Sequence, residues 1–288
     1  MSELNTVVIV GSSLAGLRAA ETLRLEKYEG RIIIVGAEDR QPYDRPPLSK
    51  KVLSGEWEAD RISLRKPDDL AKLNIDWKLG SAATALDTTN HTITLTSGET
   101  IAFDGLIIAT GSGVRKLPNQ PDWNGVHVVR TLDDSLALRA ELNPGARVVV
   151  IGAGFIGLEV AATAKARGCE VTVLEGAPAP MMRGLGADMG HAAALVHADN
   201  GITMRFNVKV AGLAEGNGGS VGGVALDDGE VVPADVVVVG IGVVPATQWL
   251  ENTELELRDG VVCDSTLHAG VPGIYAAGDV CRWFNNLY

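Results

Sequence analysis

No two cysteines in this 288-residue chain stand close enough to form a C-x-x-C; Cys169, Cys263 and Cys281 are its only three and lie far apart in sequence. That excludes a disulfide-stapled scaffold and a local dithiol, and the three read as reduced thiols of a cytosolic protein. Positive charge is also scarce. With 25 Lys and Arg against 36 Asp and Glu, the net charge is -11 and the isoelectric point about 4.9. Such a chain is not expected to take nucleic acid or an anionic membrane as its main partner, although Arg61, Arg65 and Lys66 make a local basic stretch. Long apolar runs are missing too, each being strand-length or interrupted by Glu159, so no membrane span is predicted. The start, Met1 to Asn5, has no basic segment followed by an apolar one and runs straight into a strand, so no export signal is expected. No metal site is expected.

What is present is ordinary for a globular protein: 46% hydrophobic and 21% charged residues, with a length that suggests about two domains. The stretch Arg147 to Glu175 carries the strongest signal. An apolar run, Arg147-Val148-Val149-Val150-Ile151, enters Gly152-Ala153-Gly154-Phe155-Ile156-Gly157, an Ala-rich segment follows to about Arg167, and Cys169 to Leu174 leads to Glu175. This reads as strand, glycine turn, helix, strand and acid, the pattern of a dinucleotide site. Gly152 permits the tight turn, Gly154 lets backbone amides approach a pyrophosphate, and Gly157 lets helix and sheet pack closely. The helix N-terminus offers free N–H groups and a positive dipole end to the phosphates. A carboxylate at Glu175 suits the two hydroxyls of an adenosine ribose and repels a 2′-phosphate, which predicts NADH rather than NADPH.

Residues 6–38 repeat the pattern. Val7 to Leu17 align without a gap on Val148 to Leu158 at a constant offset of 141 positions, and the strand Arg31 to Gly36 leads to Glu38 as the second acid. Ser13 replaces the middle glycine. Two such units in one chain imply two dinucleotides. Farther on, Ala234 to Gly242 repeats the strand Asp104 to Gly111, with Asp104 matching Asp235 and Gly111 matching Gly242. The end Ala109-Thr110-Gly111 is small enough to lie against a flat ligand. Gly80 to Leu95 and Leu213 to Glu230 read as hairpin regions; His91, in the turn Asp87 to His91, is expected to be solvated and without a role.

The segment Gln41 to Lys50 contains Pro42, Pro46 and Pro47, so it is expected to be an extended, rigid loop entering a helix near Ser49. It follows the acid of the first unit, where it would cross the dinucleotide crevice and bring Arg45 to a pyrophosphate; the plainer reading is a solvated surface turn. In the tail, a strand is expected to end at Ala277, Gly278 to turn, and Asp279 to begin a helix. Asp279 is then either a simple N-cap or an acceptor for the ribityl hydroxyls of a flavin.

Taken together, Tyr43-Asp44-Arg45-Pro46-Pro47-Leu48-Ser49-Lys50, Ala109-Thr110-Gly111, Arg130-Thr131-Leu132-Asp133-Asp134 and Gly278-Asp279-Val280 make the chain resemble, over its whole length, the FAD-dependent NADH:ferredoxin reductases of bacterial oxygenase systems. These serve ring-hydroxylating dioxygenases and cytochromes P450 and share the pyridine nucleotide-disulfide oxidoreductase fold. The resemblance implies that Gly11, Ser13, Ala15, Gly16, Glu38, Arg45, Lys50, Ala83, Thr110, Gly111, Arg130 and Asp279 contact FAD, and that Gly152, Gly154, Ile156, Gly157, Glu175 and Gly242 contact NADH. It also implies that Lys50, beside the flavin, pairs with Glu159; the alternative for Glu159 is a first-turn acid favoured by the helix dipole.

The resulting expectation is an α/β protein of two Rossmann-like dinucleotide-binding domains. Residues 1–111 and 246–288 form a discontinuous FAD domain, with an NADH domain, 112–245, inserted. With no cysteine between Glu38 and Lys50, the flavin is expected to hand electrons to an outside acceptor, a ferredoxin feeding an oxygenase or P450. Relatives of this type continue into a third domain, expected to be absent here. The alternatives are a rubredoxin reductase, an NADH oxidase-like flavoenzyme, or a nucleotide-binding protein without turnover.

Overall fold

The computed structural model describes residues 4–285 and 287. The α-helices among them are α1 (Leu14–Leu25), α2 (Lys51–Ser54), α3 (Pro67–Ala71), α4 (Leu132–Glu141), α5 (Phe155–Ala166) and α6 (Met182–Asp199). The chain forms two compact units, one of residues 1–44, 63–113 and 244–288, the other of 45–62 and 114–243.

The first unit is built on a five-stranded parallel sheet in the order Ile274–Ala276, Gly105–Ile108, Thr6–Val10, Arg31–Val35, Ile75–Lys78. Its central strands are β-branched and buried on both faces, as parallel sheets covered on both sides require. One face carries Ile9, Ile32, Ile34 and Ala20 of α1. The other carries Val8, Val10, Ile33 and Val35 against Ile93, Leu95 and Phe103, which come from or adjoin a three-stranded antiparallel sheet of Ala83–Asp87, Thr92–Leu95 and Thr100–Ala102.

The second unit repeats this plan. Its parallel sheet runs Thr203–Arg205, Glu170–Leu174, Arg147–Ile151, Val236–Val239, Val126–His127, with an antiparallel sheet of Val210–Glu215, Val221–Leu226 and Val231–Pro233 over one face. The repeat extends to hydrogen bonds. Asp104 N bonds Thr6 O and Asp235 N bonds Arg147 O, each at 2.9 Å; Gly11 N bonds Val35 O and Gly152 N bonds Leu174 O, each at 2.8 Å.

Several expectations change. The proline loop is not extended throughout: Pro46–Ser49 is a 3-10 turn with proline in its first positions, where a missing N–H costs nothing, and α2 follows. This whole segment, 45–62, clusters with the second unit rather than with residues 1–44. The tail strand ends at Ala276, and Gly278–Val280 is a three-residue 3-10 turn leading into another strand, Cys281–Trp283, so Asp279 opens no α-helix. His91 takes φ 52° in its turn and stacks on Phe103 at 5.4 Å. The thiols of Cys263 and Cys281, distant in sequence, are neighbours, and all three cysteines are free thiols.

Candidate dinucleotide sites

In the first unit the predicted residues gather at the carboxyl ends of the parallel strands, where open α/β sheets bind ligands. Gly11 leaves its strand at φ +124°, and a Cβ there would lie 2.0 Å from Ala109 O; one on Gly16 would lie 1.9 Å from Gly11 O. Both glycines are therefore required by close packing of strand, turn and α1. Ser13 is the N-cap of α1 in extended conformation, and its hydroxyl does not cap the helix. Beside this turn, Thr110 Oγ1 donates to Ala246 O at 2.9 Å, and Gly111 O accepts from Ala246 N at 2.9 Å. Gly278 abuts the Ala15 side chain, which brings the exposed Asp279 to the start of α1. Glu38 Oε2 accepts from Tyr43 Oη at 2.5 Å. Ala83 begins a strand of the antiparallel sheet. Arg65, from the basic stretch, is neutralised by Glu21 at 2.7 Å.

The second unit has the same turn with more room. Gly152 stands at φ +99° with Gly240 O 2.4 Å from any Cβ, and Gly157 packs on Gly152 O. Gly154 differs. It is the N-cap of α5 at φ -74°, ψ -179°, no side chain caps the helix, and a Cβ there would meet nothing within 4 Å. Its lack of a side chain is thus not needed by the fold; it keeps open the space in front of the α5 N–H groups, which suits a pyrophosphate. Ile156 is 41% and Phe155 56% exposed beside it, and Gly242 takes φ +108° with open space around it.

Glu175 does more than the sequence suggested. Its Oε2 accepts from Ala153 N at 2.7 Å and its Oε1 from Ala177 N at 2.8 Å. It holds the glycine turn, and with about four acceptor sites on a carboxylate it retains capacity for ribose hydroxyls.

Arg45, Lys50 and Arg130, expected on the FAD side, belong to the second unit. Arg45 Nη1 donates to Arg130 O at 2.5 Å. Lys50 Nζ lies 2.7 Å from Glu159 Oε2, and Ser49 Oγ reaches the same oxygen at 2.6 Å. Glu159 lies in the second turn of α5, so one carboxylate oxygen collects an ammonium and a hydroxyl. Sequence reasoning missed Ser49; its place in Pro46-Pro47-Leu48-Ser49-Lys50 marked the loop but gave no sign that its hydroxyl turns inward.

Away from these sites the thiols are shielded. Burial, then the neighbouring Cys263 thiol, push Cys281 up to about 12; burial also raises Cys263 and Cys169. No helix among the described residues is long and apolar enough to cross a membrane, and they hold no cluster of three or more His, Cys, Asp or Glu suited to a metal ion.

Residues 5–288 match the family model for pyridine nucleotide-disulphide oxidoreductases. The chain is 38% identical over 281 residues to the biphenyl dioxygenase system ferredoxin–NAD(+) reductase component of Paraburkholderia xenovorans (strain LB400), covering 97% of this chain and 68% of that protein. It is 36% identical to the rubredoxin-NAD(+) reductase of Pseudomonas putida, covering 98% and 73%. Among solved structures, the covalent putidaredoxin reductase–putidaredoxin complex superposes with a TM-score of 0.95 at 35% identity, covering 99% of this chain and 69% of that one.

Proposed function

Because the chain belongs to the pyridine nucleotide-disulphide oxidoreductase family, we propose that it is a cytoplasmic flavoprotein that passes electrons from NADH through FAD to a ferredoxin-type iron–sulfur protein of an oxygenase or P450 system. Residues 1–111 and 246–288 bind FAD and residues 112–245 bind NADH, with 45–62 joined to the NADH unit. FAD, when bound, would supply the hydride and single-electron redox chemistry.

The chain's own residues bind and orient. Gly11, Ser13, Ala15, Gly16, Glu38, Ala83, Thr110, Gly111 and Asp279 hold FAD, assisted by Arg45 and Arg130; Gly152, Gly154, Ile156, Gly157, Glu175 and Gly242 hold NADH. Lys50 and Glu159 tune the flavin's electrostatic surroundings, so the rate comes from alignment and local charge rather than from a general acid or base.

The observation that carries this reading is the convergence of Ser49 Oγ and Lys50 Nζ on Glu159 Oε2. It sets one lysine against the helix that opens at the glycine turn. The absence of cysteine from Glu38 to Lys50 supports an external acceptor over an internal disulfide. The test is to purify the chain, record its visible spectrum and add NADH without oxygen. A yellow protein that bleaches supports the reading, and a colourless protein or one that stays yellow refutes it. The similarity to a rubredoxin reductase favours rubredoxin as second acceptor, so turnover with ferredoxin and with rubredoxin should be compared side by side.

A further inference from the structure

Ser49, Ser112, Ser135 and Thr163 are the buried polar residues among those described, and three of the four meet around Lys50. A buried hydroxyl is costly unless bonded, and one inside a helix ordinarily returns its hydrogen bond to the carbonyl one turn back. Ser135 of α4 and Thr163 of α5 instead reach outward to chain far away in sequence. Ser135 Oγ donates to Leu48 O at 2.7 Å, across 87 positions. Thr163 Oγ1 donates to Ser49 O at 2.8 Å, across 114. Two consecutive carbonyls of the proline loop are thereby fixed by two helices.

The geometry continues to the charged pair. Glu159 and Thr163 stand one turn apart on α5, on the same face. Between them they hold Ser49 at both ends, Glu159 by its hydroxyl and Thr163 by its carbonyl. Lys50 follows at once, with its side chain 44% exposed, and long exposed lysines lose appreciable entropy when confined to one rotamer. Two further side chains hold the rest of the segment: Arg139 Nη1 lies 3.4 Å from Val52 O and Arg167 Nη1 lies 3.0 Å from Ser54 O.

We propose that Ser49, Ser135 and Thr163 are positioning residues for Lys50, clamping the proline loop onto α4 and α5 so that the ammonium is delivered to Glu159 in one geometry. The importance of this to the reaction rests on the reading of Lys50 and Glu159 given above; the clamp itself does not. It makes the lysine a fixed part of the nucleotide-binding unit rather than of a surface loop.

The test uses the full chain and two readouts. In the first, surface amines are acetylated with acetic anhydride and each lysine's labelling rate is followed by mass spectrometry, with Lys51 as internal control. Thr163→Val, which keeps the shape and removes the hydroxyl, should raise Lys50 labelling about fivefold, the population change that loss of one hydrogen bond brings. Ser135→Ala should act in the same direction, and Thr163→Ser should restore the wild-type rate. In the second readout, stopped-flow reduction of the FAD-loaded protein by NADH should slow in Thr163→Val with little change in KM, and recover in Thr163→Ser. Unchanged Lys50 labelling in both Thr163→Val and Ser135→Ala, or a Thr163→Ser protein as altered as Thr163→Val, overturns the clamp. If Lys50→Ala reduces as fast as wild type, the role assigned to Lys50 in the reaction falls, while the labelling result still decides the clamp.

Discussion

Asp235 holds Arg147 at three points: its Oδ2 accepts from Arg147 N at 2.9 Å and Nε at 3.0 Å, and its Oδ1 from Nη2 at 2.5 Å. The pair ties the returning strand of the second unit to the first residue of its central strand. Asp104 plays the backbone part of the same role in the first unit, accepting from Thr6 N at 2.8 Å.

The hydrogen bonds from Arg147, side chain first and backbone second, hold the Asp235 carboxyl below its ordinary range. A depressed carboxylate stabilises the fold above its unfolded pKa, and that contribution disappears as pH falls through the folded value. Both side chains are 48% exposed, so solvent screening leaves at most about 1 kcal/mol. Asp235→Asn should lose that much in urea unfolding at neutral pH, and the gap to wild type should close below about pH 4. A gap of equal size at acid and neutral pH would refute this.

The two turn glycines of the second unit should separate folding from binding. Gly152→Ala places a Cβ 2.4 Å from Gly240 O at φ +99° and should destabilise by about 3 kcal/mol or more. Gly154→Ala meets nothing within 4 Å, so its melting temperature should match wild type while NADH affinity drops. Thermal melts and NADH titration of the two variants decide the matter; equal NADH affinity in Gly154→Ala removes this glycine from the site.

Glu175→Ala strips the acceptors from Ala153 N and Ala177 N, which should cost about 1–3 kcal/mol for partly buried donors left unpaired. It should also narrow the preference for NADH over NADPH. Initial rates with both nucleotides check this, and wild-type bleaching equally efficient with either would contradict the assignment.

Lys50→Ala should slow flavin reduction by NADH while FAD stays bound, because Lys50 contacts Glu159 and its side chain is exposed. A slowing of about tenfold corresponds to about 1.4 kcal/mol of lost transition-state stabilisation. Stopped-flow absorbance reads it directly.

With Cys281 pushed up to about 12 by burial and the neighbouring Cys263 thiol, the thiol stays protonated at pH 8, and the thiolate is the reactive form. Iodoacetamide should therefore leave Cys281 unmodified in the native protein over times that fully alkylate it in urea. Rapid native labelling at Cys281 would refute the burial-driven shift.

Much of the fold was legible because its signals are local. The glycine spacing from Gly152 to Gly157, the β-branched runs and the repeat of Val7 to Leu17 each follow from what one strand-turn-helix unit demands of its own residues. The match of Asp104 with Asp235 carried the repeat into the returning strands. Where several distant segments must agree, the reading failed. Asp279 looked like a helix start because a turn followed by an acid is a common N-cap, but the next residues, Cys281 to Trp283, were taken up by parallel pairing with Val261–Cys263. The same pairing brought two thiols together that seemed unrelated.

The proline loop shows the boundary between the two most clearly. Its composition by itself determined a stiff, non-helical entry and a lysine at its end, since prolines restrict the backbone wherever they stand. Which unit it joins, and that Ser49 and Lys50 share one oxygen of Glu159, only the tertiary structure decided. Those contacts come from α4 and α5, 87 to 114 positions away, and hydroxyls such as Ser135 and Thr163 leave no periodic trace in a sequence because a single polar atom alters neither hydropathy nor spacing.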